Sequence, residues 1–462
     1  MRKILPKGLG IELVGGLTES QTAHAGVSLL IETGRRSGVV AAAERGLHTK
    51  KSSKGLGEGQ MVEAFVLLSA LGGECLEDFE VLRRDVGLGA LTGYALPPAP
   101  TARQWLERFH DGAAIAARPA QGSFIPVESP GLAGLRTVVE RSVRAYVEAV
   151  AVERTVTLDV DAHLVESHKR TALYTYEGFP GYQPVIVEWA ETGLVLADEF
   201  RDGNVPASRE LARMVDQAYQ ALPARPGGWQ VRVRSDSAAY EYEALDHWQE
   251  RGWKFAVSAD MSPQLRAEIE ALPLEAWQPW AQEPSGVVRE WAEVAYVPSR
   301  EMEKRDTQPY RYVAIRVRGA QGVLFADGAT VKHFAVVSND WEMDGQALLE
   351  WHRGKAGTVE HAHRVIENEL AGGVYPSGKF GANAAWLRLQ VLTNNLLELM
   401  KVVALEPEYR RARPKRLRFA IFTQFGRVVQ HARQCVVRMS SRVLEVLIWP
   451  GQRRLSLAWP TA

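Results

Sequence analysis

Cysteine is almost missing from this chain: Cys75 and Cys435 are the only two in 462 residues. That excludes a disulfide framework and fits a reducing interior. No apolar run approaches the roughly 20 residues needed to cross a bilayer. The first segment, MRKILPKGLGIELVGG, interrupts its short apolar pieces with Pro and Gly, so it lacks the continuous core of a secretion signal. A cytoplasmic protein with no membrane partner is expected. Charge of one sign is not in excess either, because 55 Lys and Arg balance 55 Asp and Glu. Net charge therefore gives no argument for a nucleic-acid partner.

The 46% apolar and 24% charged fractions predict an ordinary buried core, and the length predicts two or three domains. Charge is unevenly spread. Lys401, Arg410, Arg411, Arg413, Lys415, Arg416 and Arg418 face only Glu406 and Glu408 in their stretch, and Arg427, Arg433, Arg438, Arg442, Arg453 and Arg454 follow. Such a basic tail is either a phosphate-contacting surface or a solvated face.

Hydrophobic spacing predicts helices first. GQMVEAFVLLSALGGECLEDFEVLRRD reads as a helix pair broken at Gly72-Gly73, and LPPAPTARQWLERFHDG restarts a helix with Thr101 as its cap. HTKKSSKGLGEGQ is a loop. At Thr155 the period changes to two: Val156, Leu158 and Val160 alternate with Thr157, Asp159 and Asp161. Strands are expected at YQPVIVEWA, GLVLADEF, WQVRVRSDS and KFAVSAD, with helices at SRELARMVDQAYQAL and EYEALDHWQERG. That order predicts an α/β sheet layered with helices. YRYVAIRVRG, GVLFADG and KHFAVVSND suggest a β-rich insertion, after which the chain turns helical again through NAAWLRLQVLTNNLLELMKVVAL.

Asp159 and Asp161 project from one face of their strand. Acids so placed need a cation or hydrogen bonds. Asp236 ends a second strand, where α/β sheets gather functional groups, and Glu360 lies on a later helix. Three carboxylates from separate elements suit Mg2+ or Mn2+, which take hard oxygen ligands. Two such ions ~4 Å apart activate a water and stabilise the leaving oxygen of a phosphodiester. With 55 acids in the chain, spacing alone does not single these three out. SKGLGEGQ and RGKAGT fall short of a phosphate-loop pattern and read as turns. His361 and His363 flank Glu360 but point apart on a helix, so a shared zinc is not expected of them. Arg232 and Arg234 read as outward residues, solvated or meeting phosphate. The 13 tryptophans include Trp253, Trp341 and Trp386; most of the 13 read as core, with an inserted aromatic available to stack on an unpaired base.

Longer strings add context. VTLDVDAHLVESHKR, YQPVIVEWAETGLVLADEFRDGN, VRVRSDSAAY and GKAGTVEHAHRVIENELAGGVYPSGKFGANAAWLRLQVLTNNL together resemble the core of bacterial insertion-sequence transposases of the DDE type. The resemblance extends over roughly residues 50 to 440. It implies a ribonuclease-H-like α/β catalytic core with a β-rich insertion and a helical N-terminal region. Residues 1–145 would be a helical DNA-binding region, 146–260 and 346–400 the two parts of the core, 261–345 the insertion and 401–462 a basic extension. It assigns the catalytic and metal-binding roles to Asp161, Asp236 and Glu360, with Asp159 as an alternative ligand and Mg2+, or Mn2+, as cofactor.

The chain departs from that pattern at several places. His163 stands where Thr or Ser is common, and a Tyr, Arg, Lys signature around the glutamate is replaced by Arg353, Ala356 and Glu367. Arg353, Lys355 and Arg364 are then the expected phosphate partners, together with Lys415, Arg416 and Arg418 of the tail. Glu367 is either a fourth acid near the metals or a change that weakens DNA binding. The implied reaction is cleavage at the ends of an element and transfer of its 3′ ends to target DNA by a homodimer assembled on double-stranded DNA. A metal-dependent nuclease without strand transfer, and a catalytically impaired DNA-binding descendant, are the rival readings.

Overall fold

The protein is described here by a computed structural model over residues 20–50, 54–282, 286–298, 309–319, 329–431 and 434–460. The strand expected over 322–328 and Arg433 lie outside the described residues.

Helices come first: α1 (Ser28–Arg36), α2 (Val39–Gly46), α3 (Glu58–Ala70), α4 (Ala99–Glu107) and α5 (Pro130–Ala149). α4 begins two residues ahead of Thr101, capped by Pro98 with Pro100 in its first turn. Proline lacks the amide that a first turn leaves unbonded anyway, so it opens the helix and Thr101 lies inside it.

Among the described residues, nine strands form the main sheet: β1 (Thr155–Ala162), β2 (Val185–Trp189), β3 (Leu194–Glu199), β4 (Gln230–Ser235), β5 (Lys254–Ser258), β6 (Gln278–Gln282), β7 (Val288–Val294), β8 (Arg311–Arg318) and β9 (Val331–Ser338). In space they run β3-β2-β1-β4-β5-β9-β8-β7-β6. β1 is antiparallel to β2 and parallel to β4, and β4 is parallel to β5. That five-strand half is the ribonuclease-H-like arrangement. The insertion does not form a separate sheet, because β9 pairs antiparallel with β5 through Val336↔Ser258 and its neighbours. The inserted strands extend the core sheet outward.

Between β3 and β4 lies α6 (Leu211–Ala221), and between β4 and β5 lies α7 (Tyr242–Glu250). After the sheet come α8 (Gly345–Arg353), α9 (Val359–Glu369) and the 24-residue α10 (Phe380–Val403). α10 is buried nearly all round, polar residues included. Its polar residues tie it to the edge strand. Asn395 accepts from the Val195 amide at 2.9 Å and donates to the Val195 carbonyl at 2.8 Å. Those contacts satisfy groups that an edge strand otherwise leaves bare. Arg388 reaches both oxygens of buried Asp198 at 3.0 Å.

One continuous hydrophobic cluster takes in the N-terminal helices, the core sheet, α10 and parts of the tail. Packing is continuous across residue 145. The tail also returns to the start of the chain, where Gly426–His431 pairs with Gln21–Thr22. β1 is covered on both faces, with Thr157 and Asp159 buried along with the alternating valines and leucine, as befits a central strand between layers of helices.

Candidate active site

Asp161 sits near the C-terminal end of β1, Asp236 immediately follows β4, and Glu360 occupies the first turn of α9. β1 and β4 are neighbours in parallel register, so their ends bring the two aspartates to one rim. All three line a single open cavity of roughly 720 Å³. Asp236 also caps the short helix that follows it, accepting from the Ala238 amide at 3.0 Å, which fixes its carboxyl.

A buried ammonium stands among these acids. Lys355 Nζ donates to Asp161 Oδ1 at 2.9 Å. Burial works against its charge, but Asp161, Asp236 and Glu360 outweigh that and hold the Lys355 pKa above its ordinary value. The protein's own cation thus occupies a place that three carboxylates make favourable for positive charge, and the donor set is all hard oxygen. Divalent magnesium or manganese fits it. Lys355, expected to meet phosphate, is committed instead to the acids.

Asp159 corrects the expectation in a different way. It is fully buried, and Arg234 grips it with two bonds of 2.6 and 2.7 Å while the Thr358 hydroxyl donates to it as well. Its oxygens are therefore engaged below the cavity, which it does not line. Arg234 is accordingly no outward residue: it also donates to the Trp351 carbonyl. Arg232 lies 4.0 Å from the Trp351 ring centre. This layer anchors the α8–α9 turn to the sheet. Gly354 belongs to it, since a Cβ there would meet Arg234 Nη1 at 2.6 Å. The first glycine of RGKAGT serves close packing.

Among the other expected residues, Arg353 and Arg364 are exposed and line the cavity. Arg353 lies 5.7 Å from the Trp280 ring centre. Lys415 and Arg416 are exposed on the tail, away from the cavity lining. Arg418 is a correction: its guanidinium donates to the carbonyls of Ser69, Ala70 and Glu369, so it closes the C-terminal ends of α3 and α9 inside the fold.

Sequence reasoning missed part of the wall. Trp280, Arg289, Ile315 and Phe334 come from the inserted strands, and their strand faces are set by pairing that no local pattern reveals. His352 reaches the Ser235 carbonyl at 3.0 Å between the strand ends, and burial pushes its pKa down. His363 is buried, and Glu367 lies between it and His163. The hydrogen bond that His163 donates to Glu367 raises the His163 pKa. Burial disfavours the Glu367 charge, but hydrogen bonds from His163 and then His363 outweigh it and keep that carboxyl below its usual range.

No protein of curated function matches the chain. Two solved structures are similar in part. One is a piggyBac transposase synaptic complex with hairpin DNA, at 8% identity over 88% of this chain and 83% of that one, with a TM-score of 0.46. The other is a Drosophila P element transposase strand transfer complex, at 14% identity over 44% of this chain and 38% of that one, with a TM-score of 0.22. The chain matches the transposase DDE domain family, group 1, over residues 15–449. With nearly its whole length matched and the ends of neighbouring sheet strands bringing acids to one cavity, the chain belongs to that family and is a DNA transposase, an enzyme that cleaves and transfers DNA strands.

Proposed function

We propose that Asp161, Asp236 and Glu360 are the catalytic acids and that they hold two divalent ions, Mg2+ by preference and Mn2+ as substitute. The observation that carries this reading is their convergence on one cavity around the Lys355 ammonium. When bound, the ions supply Lewis acidity and an activated water. The three carboxylates fix their positions, Asp236 being held by the Ala238 amide. Lys355 compensates the charge of Asp161, a role that bound divalent ions would share. Arg353 and Arg364, exposed at the rim, bind backbone phosphates and align the scissile bond. Trp280 and Phe334, from the inserted strands, offer faces on which a displaced base stacks. Lys415 and Arg416 extend the DNA contact along the tail.

The substrates in this reading are the terminal inverted repeats of an insertion sequence and a target duplex, engaged in the cytoplasm by a homodimer formed on DNA. The decisive experiment compares wild type with Asp236→Ala on DNA carrying the repeats that flank the gene. Retained end binding with Mg2+-dependent cutting reduced by about a thousandfold or more is expected. Undiminished cutting by the variant overturns the assignment. Joining of the cut 3′ ends to a target plasmid separates transposition from plain nuclease action.

A further inference from the structure

Beside the three acids, the same cavity holds a second cluster of different chemistry. His163 follows β1, and His363 and Glu367 stand one turn apart on α9, where side chains four residues apart share a face. His163 Nδ1 lies 2.8 Å from Glu367 Oε1, and His363 Nδ1 lies 3.5 Å from the same oxygen. One donor atom from each of the three falls within 4.8 Å of the others. Glu367 and His363 are almost enclosed, whereas His163 is half exposed.

The second nitrogen of His363 is the telling detail. Its Nε2 is 3.4 Å from the Asp161 carbonyl, which leaves Nδ1 directed at Glu367. A metal-binding imidazole commonly gives its other N–H to a backbone carbonyl, which fixes the ring and the tautomer. Two imidazoles and one carboxylate are also a borderline-soft donor set, suited to Zn2+, Co2+ or Mn2+ and poor for Mg2+. An ion with bonds of ~2.1 Å keeps its donors a little over ~3 Å apart, so small rotations of His163 and Glu367 admit one. His163 and Glu367 are two of the positions at which this chain departs from the pattern it resembles, and they meet each other here.

We propose that His163, His363 and Glu367 form a transition-metal site separate from the Asp161, Asp236 and Glu360 oxygen site. The bound ion keeps open positions toward the cavity for water or an anionic group. The alternative is a plain His163–Glu367 ion pair.

The test is Co2+ titration of the full-length protein without DNA, followed by visible absorption in a large excess of Mg2+ to occupy oxygen sites. One equivalent of Co2+ with imidazole-type bands is expected. His163→Ala, at an exposed position, and the near-isosteric Glu367→Gln should each weaken binding by roughly tenfold or more, while Asp236→Ala keeps the bands. Absence of stoichiometric Co2+ binding overturns the proposal, as does wild-type binding by both His163→Ala and Glu367→Gln. Loss of the bands in Asp236→Ala would place the ion at the acids and overturn it equally. None of these outcomes depends on whether Asp236 is needed for cutting, which the cleavage assay measures by itself.

Discussion

Asp159 and Asp161 lie two residues apart on the same face of β1, yet they belong to two different regions. Asp159 is sealed beneath the cavity, its charge matched by Arg234 across the parallel pair β1–β4. Asp161, one step closer to the strand end, reaches the cavity and the Lys355 ammonium. Residue type and periodicity are identical at the two positions; depth below the strand end is what differs. Function gathers at the C-terminal edge of such sheets because only there does a side chain leave the packed layers.

The sharpest way to break this comparison is to neutralise each acid in turn. Asp161→Asn should lower Mg2+-dependent cutting by about a thousandfold or more, with a smaller change in the urea midpoint than any variant of Asp159. Asp159→Ala should act on the other quantity. It leaves Arg234 buried without its partner, so unfolding free energy should fall by about 3–5 kcal/mol. Replacing Asp159 and Arg234 together by Leu and Met should recover much of that loss, since a buried pair exchanged for apolar packing is often close to neutral. A fully stable Asp159→Ala that no longer cuts would move Asp159 into the catalytic group and erase the distinction.

Lys355 sharpens the comparison from the cavity side. It is the cation of the upper region as Arg234 is of the lower, but it is bound to groups that also attract divalent ions. Lys355→Met should reduce stability without metal by roughly 1.5–3 kcal/mol, the scale of a charged hydrogen bond. Added Mg2+ should then raise the melting temperature of the variant more than that of wild type. An equal response in both proteins would mean that the ammonium and the ions do not share the carboxylates.

Much of this was legible beforehand. The change of period at Thr155 located β1, and the strings around Asp236 and Glu360 placed one acid after a strand and the other on a helix, where the structure has them, because strand ends and long ordered motifs are local in sequence. The fate of Asp159 was not legible. Its partner Arg234 is 75 residues away, and only the register of β1 on β4 brings them opposite each other. Arg234 and Arg418 look like surface cations in a string of letters; carbonyls and carboxylates from distant segments take them inside. The insertion hid its role for the same reason, since pairing of β9 with β5 determines which aromatics meet the cavity.

The smallest expected effect lies within the lower region and tests why it holds one cation for two acids. Glu188 on β2 stands opposite Asp159 in register and is buried. Its Oε2 meets no hydrogen-bond partner among the described residues. Burial first, and then the Asp159 charge, raise its pKa well above the usual carboxylate value. Arg234 can neutralise only one carboxylate, which favours the protonated form of Glu188 in the folded protein. Below the unfolded pKa of about 4.3 both states are protonated and stability does not depend on this group. Above it the unfolded chain ionises while the native state does not, so stability falls as pH rises toward the folded pKa, by at most about 1.4 kcal/mol per pH unit. Glu188→Gln removes that dependence. Urea midpoints of variant and wild type should coincide near pH 4 and separate in favour of the variant by pH 6. If the curves instead separate in favour of wild type, Glu188 is ionised in the native state, and the buried layer must draw on more positive charge than Arg234 alone.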